Sequence, residues 1–167
     1  MRARFVAHSA LIAALYAALT IGLAPISFGE QQFRIAEALC VLPAFTPAAI
    51  PGLFVGCLIS NTLSFMGLPD MIFGSLATLA AALLARRISK AGTGGHGLLR
   101  IALVPLPAVL VNAVAIGAML AIFLSIPFGA AALGVAIGQA GACYGLGVPL
   151  YLLMANLERR NILALDK

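Results

Sequence analysis

Residues 5–23 read FVAHSALIAALYAALTIGL, an apolar stretch about as long as the roughly 20 residues that a membrane-spanning helix needs. Its alanines recur at helical spacing, so they form columns along the helix surface. One column consists of Ala10, Ala14 and Ala18, and a neighbouring one of Ala13 and Ala17. Small columns let two membrane helices approach closely, either within one chain or between a chain and a separate membrane subunit. Both uses are open for these alanines.

The rest of the chain is as apolar as this first stretch. Of 167 residues, 63% are hydrophobic and 9% are charged, and the mean hydropathy is +1.11. A water-soluble domain has about 45 to 50% apolar and about 25% charged residues. The apolar runs are unbroken and lack the alternation of a membrane barrel, so they predict helices. This composition excludes soluble enzymes and nucleic-acid-binding domains.

The basic residues indicate how the chain crosses the membrane. Nine of the ten lie in three places, and basic loops stay on the cytoplasmic side. The three groups are Arg2 and Arg4; Arg86, Arg87, Lys90 and Arg100; and Arg159, Arg160 and Lys167. With both termini cytoplasmic, four spans precede the middle group and two follow it. We therefore predict an all-α integral membrane protein, a single domain over residues 1–167 with six transmembrane helices.

The predicted spans are 5–23, 33–45, 48–65, 71–85, 98–125 and 128–157. The second is short and ends near Pro43, and the fifth should be kinked at Pro105 and Pro107. The third carries Gly52 and Gly56 in another small column. Asp70 precedes the fourth span, where it is predicted to cap the helix or to lie in its first turn.

One polar segment interrupts the apolar pattern. Residues 24–37 read APISFGEQQFRIAE, and they place Glu30, Arg34 and Glu37 at i, i+4 and i+7, on one face of a helix if it begins that early. A surface ion-pair set would explain this spacing. The chain has only five acidic residues, however, and two of them lie here beside two glutamines. We therefore favour a ligand site.

Two carboxamides, Asn112 and Gln139, lie within the fifth and sixth predicted spans. A carboxamide that faces lipid leaves its donors and acceptors unpaired, so both side chains should face inward. There they either bond to a neighbouring helix or contact a ligand, and both alternatives remain open.

The sequence contains no recognisable catalytic or cofactor site. His8 and His96 are far apart, and no nucleophile, base or metal-ligand set has the required spacing. The glycines of residues 91–97 formally fit G-x-G-x-x-G but lack the strand and helix of a dinucleotide site. No P-loop is present, so this chain cannot bind and hydrolyse ATP by that motif. We predict that it is not an enzyme and holds no cofactor.

Five stretches in order resemble the QueT family, the substrate-binding membrane subunits (S-components) of energy-coupling factor transporters. They are APISFGEQQFRIAEAL at 24–39, AIPGLFVGCLISN at 49–61, DMIFGSLATLAAALL at 70–84, VNAVAIGA at 111–118 and VAIGQAGACYGLGVPL at 135–150. Together they extend over nearly the whole chain.

This resemblance implies a multi-pass protein of a bacterial-type plasma membrane. It would take up a queuosine precursor from outside, namely a 7-deazaguanine such as the 7-aminomethyl derivative, or queuine. The implied partners are a transmembrane coupling subunit and two ATPase subunits, which use the ATP. Such subunits bind ligand near the outer face and dock through alanine columns on the first helix, here Ala10, Ala14 and Ala18 with Ala13 and Ala17.

The chemistry of a deazaguanine suggests roles for the polar residues. Its N1–H and exocyclic amine suit one carboxylate, and a cationic arm requires another. We assign these roles jointly to Glu37 and Glu30, with Gln32, Arg34, Asn112 and Gln139 as orienting partners. Gln139 stands where the family would have Glu, and a neutral deazaguanine or queuine is then more credible. The alternatives are an S-component for another vitamin and a freestanding proton-coupled transporter with Glu37 as its titrating group.

Overall fold

The computed structural model describes residues 2–27, 33–91 and 97–160, and within those ranges it is helical, with no strand. Among the described residues, four helices are long and apolar enough to cross a membrane: Arg2–Gly22, Leu68–Ala91, Leu98–Leu124 and Phe128–Arg159. Ile35–Ala44 and Ala49–Leu63 are shorter apolar helices. Both span roughly 20 Å, against a hydrocarbon core of about 30 Å. The all-helical class is thus confirmed for the described residues, while six crossings remain a prediction.

Local breaks divide these helices into shorter elements. The α-helices are α1 (Arg2–Gly22), α2 (Ala24–Ser27), α3 (Ala49–Ser60), α4 (Leu68–Ala91), α5 (Leu98–Leu103), α6 (Leu106–Leu124), α7 (Phe128–Ala140) and α8 (Gly147–Arg159). A 3₁₀ segment covers Ile35–Ala44, a 3₁₀ turn Asn61–Leu63, and a π-helical turn Gly141–Leu146.

The structure bears on two predicted features of the long helices, namely the kink in the fifth span and the end of the fourth. The break between α5 and α6 falls at Val104 and Pro105, which confirms the kink predicted there. The fourth span is predicted to end at about Ala85, and the helix that carries it, α4, continues to Ala91. Its last turns carry Arg86, whose guanidinium donates to the carbonyl of Pro43 at 3.0 Å.

The small column on α3 forms the contact with α1. A Cβ added at Gly56 would lie 2.8 Å from the Ala13 carbonyl oxygen and 2.8 Å from the Tyr16 Cβ. Gly52 approaches Ser9 and Ile12 equally closely one turn earlier. These distances require glycine, so the prediction of a helix-packing column on the third apolar stretch is confirmed.

The two alanine columns of α1 have different surroundings. Ala13 and Ala17 are buried, and Ala13 lies directly against α3. Ala10, Ala14 and Ala18 are exposed on another face. Docking through Ala13 and Ala17 is therefore ruled out in this conformation, because they pack inside the chain. The docking prediction now rests on the exposed column alone.

The 3₁₀ segment lies at the centre of the fold, in contact with α1, α3, α4, α8 and the π-helical turn. Eight of its ten residues are buried. Three residues per turn align Ala36, Leu39 and Leu42 on one face, and all three belong to the apolar cluster around Tyr16. The next column begins with Glu37. The centre of this membrane protein thus contains a carboxylate.

Candidate ligand-binding site

Glu37 is held in the interior by a tyrosine. Its side chain is 3% exposed, and its Oε1 accepts a hydrogen bond from the Tyr16 hydroxyl at 2.5 Å. Tyr16 is fully buried on the inner face of α1. The first apolar helix therefore supplies the donor that a buried carboxylate requires.

Arg34 and Asp70 form a buried ion pair. The guanidinium Nη2 lies 2.9 Å from Asp70 Oδ2, and the two side chains are 3% and 0% exposed. Asp70 lies in the first turn of α4, as predicted. The prediction that it caps the helix is wrong, because α4 begins two residues earlier, at Leu68, and its carboxylate binds Arg34 instead.

Glu30, Arg34 and Glu37 are predicted to share a face only if a helix begins early enough to include them, and for Arg34 this condition is not met. The 3₁₀ segment begins at Ile35, and Arg34 has an extended backbone, with φ −94° and ψ 105°. Arg34 and Glu37 therefore do not lie on one continuous helix. Both are buried, so a solvent-exposed ion-pair set is excluded for these two residues. Glu30 lies outside the described residues.

Asn61, Cys57 and Thr78 complete the polar surroundings of the ion pair. Asn61 Nδ2 donates to the Asp70 carbonyl at 2.9 Å. The Cys57 sulfur accepts from Asn61 Nδ2 and Thr78 Oγ1, each at 3.4 Å, and lies 3.9 Å from Arg34 Nη1. We use the name Glu37 cluster for Tyr16, Arg34, Glu37, Cys57, Asn61, Asp70 and Thr78.

Gly74 allows this arrangement to close up. A Cβ there would lie 2.6 Å from Asn61 Nδ2 and 3.1 Å from Asp70 Oδ1. Any side chain at position 74 would therefore displace Asn61. The glycine lets the carboxamide and the carboxylate approach the backbone of α4 directly.

The formal charge of the Glu37 cluster is negative. Arg34 contributes one positive charge, and Glu37 and Asp70, when ionised, contribute one negative charge each. The guanidinium interacts electrostatically with both carboxylates, and it forms its direct ion pair with Asp70. A surplus negative charge in a buried site favours a ligand that brings hydrogen-bond donors or a positive charge.

Gln139 lies beside the segment that carries Glu37. It is 2% exposed, and its Oε1 is 3.7 Å from the Cys143 sulfur, which in turn is 3.6 Å from the Glu37 carbonyl oxygen. Phe33 packs its ring on Gly141 in the same region, 2.7 Å from where a Cβ would stand. The C-terminal part of the chain thus borders the cluster through α7 and the π-helical turn.

The remaining predicted site residues are less directly placed. Asn112 is buried on α6, which packs against α4 and α7. Its Nδ2 donates no hydrogen bond within the described structure, and no described hydrogen bond joins Asn112 to the Glu37 cluster. Gln32, like Glu30, lies outside the described residues.

Sequence reasoning missed Tyr16 and the role of Asp70. A signal was present for each. Asp70 is one of only five acidic residues, so the economy argument that selected Glu37 applies to it equally. Tyr16 is one of three tyrosines, and it stands between Ala13 and Ala17 at helical spacing.

Comparisons with known proteins identify a transporter family. The family model described as QueT transporter matches residues 6–156. A stretch of 72 residues is 46% identical to a protein of Lactococcus lactis subsp. cremoris (strain MG1363) that is named queuosine precursor transporter QueT. That alignment covers 42% of this chain and 42% of the relative, less than half of its length. No solved structure matches the chain significantly.

Proposed function

We propose, on the premise that this chain belongs to the QueT transporter family, that it binds a queuosine precursor and carries it into the cell. Members of this family are transporters and not enzymes, and the chain is a multi-pass membrane protein. The relative that shares 46% identity is named for queuosine precursor transport. The proposed ligands are 7-deazaguanines, namely the 7-aminomethyl derivative or queuine.

The observation that carries this proposal is the buried Glu37 carboxylate, which lies in a cluster whose formal charge is negative when both carboxylates are ionised. A deazaguanine offers N1–H and an exocyclic amine to an acceptor, and its carbonyl accepts from a donor. The aminomethyl arm brings a positive charge that a carboxylate neutralises. The residues proposed to contact the ligand are Glu37 and Glu30 as carboxylates, with Gln32, Arg34, Asn112 and Gln139 as orienting partners.

Binding of the ligand is the first test. The purified full chain in detergent is titrated calorimetrically with 7-aminomethyl-7-deazaguanine, 7-cyano-7-deazaguanine, queuine and guanine. Submicromolar binding of one deazaguanine, with weak binding of guanine, is expected. If folded protein binds none of them, the substrate proposal is wrong, and an S-component for another vitamin becomes the better hypothesis.

A matched pair of variants tests the role of Glu37. Glu37→Gln should weaken binding of 7-aminomethyl-7-deazaguanine by about 2 kcal/mol or more, because it removes a charge from a desolvated contact. Glu158→Gln makes the same chemical change in the last turn of α8, far along the chain from the cluster, and should leave affinity unchanged. Equal affinities of the two variants would refute the assignment.

We further propose that the chain is the S-component of an energy-coupling factor transporter. A transmembrane coupling subunit and two ATPase subunits would be its partners, and these ATPases would use the ATP. The exposed column of Ala10, Ala14 and Ala18 supports this, because small exposed residues on a membrane helix suit close helix contact.

Leucine substitutions on the two faces of α1 separate docking from folding. Ala14→Leu enlarges an exposed position and should abolish co-purification with the coupling subunit while leaving the melting temperature unchanged. Ala13→Leu enlarges a buried position and should lower the melting temperature. Normal co-purification of Ala14→Leu would rule out docking through this column.

The proposed topology is one six-span domain with both termini cytoplasmic. Arg2 and Arg4 begin α1, Arg86 and Arg87 lie near the end of α4, and Arg159 ends α8. Basic residues at these helix ends favour the cytoplasmic side. Single cysteines introduced at Lys90 and at Leu68 should label from opposite sides of the membrane, and labelling from the same side would exclude this topology.

A freestanding proton-coupled transporter is the second candidate. It is favoured by Glu37 as a buried ionisable group inside a membrane protein. Uptake of radiolabelled ligand decides between them: dependence on the ATPase subunits supports the S-component. Uptake that persists without those subunits and stops with a protonophore supports proton coupling.

A further inference from the structure

Two side chains that pack against Gly74 each carry a buried oxygen with no hydrogen-bond partner among the described residues. These oxygens are Asp70 Oδ1 and Asn61 Oδ1, and both side chains are fully buried. The Asn61 oxygen is an acceptor and cannot donate a hydrogen bond. The same holds for the Asp70 oxygen when the carboxylate is ionised. A buried acceptor without a donor destabilises a fold, so such atoms often mark a bound group.

The orientation of both groups is determined by their other atoms. Asp70 Oδ2 is held by Arg34 at 2.9 Å, which leaves Oδ1 as the available oxygen. Asn61 Nδ2 donates to the Asp70 carbonyl at 2.9 Å. Flipping the carboxamide would set two oxygens against each other, so the hydrogen-bond network assigns Oδ1 to the unpartnered position. The orientation of each acceptor is therefore fixed by the hydrogen bond that its own side chain makes.

The two carboxylates of the Glu37 cluster differ in charge compensation. Asp70 is bonded to a guanidinium, so its negative charge is locally neutralised. Glu37 is bonded to the neutral hydroxyl of Tyr16. A cation placed at Asp70 would be repelled by the positive charge of Arg34, whereas a neutral N–H donor would not be repelled. Glu37 is the carboxylate better suited to a positive charge.

We propose that Asp70 and Asn61 together bind the N–H edge of the base, its N1–H and exocyclic amine, and that Glu37 binds the cationic arm. This inference rests on the proposed function, and it adds two residues to the set of ligand contacts. It also separates base recognition from charge recognition. Arg34 then acts as a positioning residue that orients the Asp70 carboxylate.

The experiment compares two ligands that share the base and differ in the charge of the arm. Binding of 7-aminomethyl- and 7-cyano-7-deazaguanine is measured by calorimetry for the wild-type full chain, Glu37→Gln, Asp70→Asn and Asn61→Ala. Asp70→Asn and Asn61→Ala should weaken both ligands by the same factor, at least about tenfold. Glu37→Gln should weaken the aminomethyl compound at least about tenfold and the cyano compound less than about threefold.

The informative quantity is the ratio of the two affinities, which a general loss of stability does not change. Melting curves identify a variant that does not fold. If Asp70→Asn does not fold, Asn61→Ala still tests the inference, because it leaves the Arg34–Asp70 ion pair in place. The inference would be overturned by an unchanged ratio in Glu37→Gln or by a changed ratio in Asp70→Asn. Unaltered affinities in both Asp70→Asn and Asn61→Ala would overturn it as well. Absence of binding to the wild-type chain would instead overturn the proposed function.

Discussion

Replacing Gly56 by alanine should destabilise the fold by separating α1 from α3. The added Cβ would lie 2.8 Å from the Ala13 carbonyl oxygen and 2.8 Å from the Tyr16 Cβ, whereas ordinary contact begins at 3.4 Å. The helices must therefore move apart by about 0.6 Å, the difference between these distances. One neighbour is a backbone atom, so rotation of a side chain cannot relieve the clash.

The expected magnitude combines two opposing terms. Overpacking costs about 1 to 3 kcal/mol, and contact with a backbone atom favours the upper end. Alanine recovers up to about 1 kcal/mol of helix propensity. The net loss is about 2 kcal/mol, which lowers the melting temperature by about 4 to 8 °C for a chain of this size. Because Tyr16 lies at the contact, the hydrogen bond to Glu37 should weaken too, and ligand affinity should fall.

The matched control is Gly134→Ala, in the interior of α7. A Cβ at Gly134 would meet no atom within 4 Å, so this variant gains helix propensity without a clash. Melting of wild type and both variants in the same detergent is followed by circular dichroism. If Gly56→Ala melts at or above the temperature of Gly134→Ala, then close packing of α1 on α3 is not what requires the glycine.

Two further predictions concern the centre of the fold. Tyr16→Phe should lower the free energy of unfolding by about 1.5 to 3 kcal/mol, because Glu37 loses its hydroxyl donor. The control Tyr144→Phe removes a hydroxyl that donates to a carbonyl in an exposed region, and it should lower the free energy of unfolding by about 1 kcal/mol or less. Equal melting temperatures would contradict this. Arg86→Ala should lower the free energy of unfolding by about 1 to 2 kcal/mol, because the carbonyls at the end of the 3₁₀ segment lose their donor. Exposed Arg87→Ala should lower it by less than about 0.5 kcal/mol, and chemical denaturation of both variants should show this order.

Some features of the fold follow from local sequence. Pro105 breaks the helix whatever the surrounding tertiary packing, because it lacks an amide hydrogen. The apolar composition likewise requires that backbone groups pair within helices. Charged residues usually mark the end of a span, but they do not end the helix, and α4 continues through Arg86 and Arg87 to Ala91. Here Arg86 instead reaches back to the 3₁₀ segment, a contact 43 positions away.

The helix faces illustrate a limit of sequence patterns. Ala10, Ala14 and Ala18 are chemically identical to Ala13 and Ala17, and both columns permit close packing. Only the position of Gly56 on α3 makes one column internal and leaves the other exposed. Periodicity identifies a face, but its neighbour determines its environment.

The candidate site shows the same division between local and distant information. The sequence alone predicted that Asn112 and Gln139 face inward, because unpaired polar atoms are unfavourable in lipid, and both are buried. It selected Glu37 and Arg34 as candidates for a ligand site, and these two are buried as well. Their partners could not be inferred, since Tyr16 is 21 positions from Glu37 and Asp70 is 36 from Arg34. Spacing rules describe neighbours on one helix, whereas these contacts join separate helices and depend on how α1, α3 and α4 pack around the 3₁₀ segment.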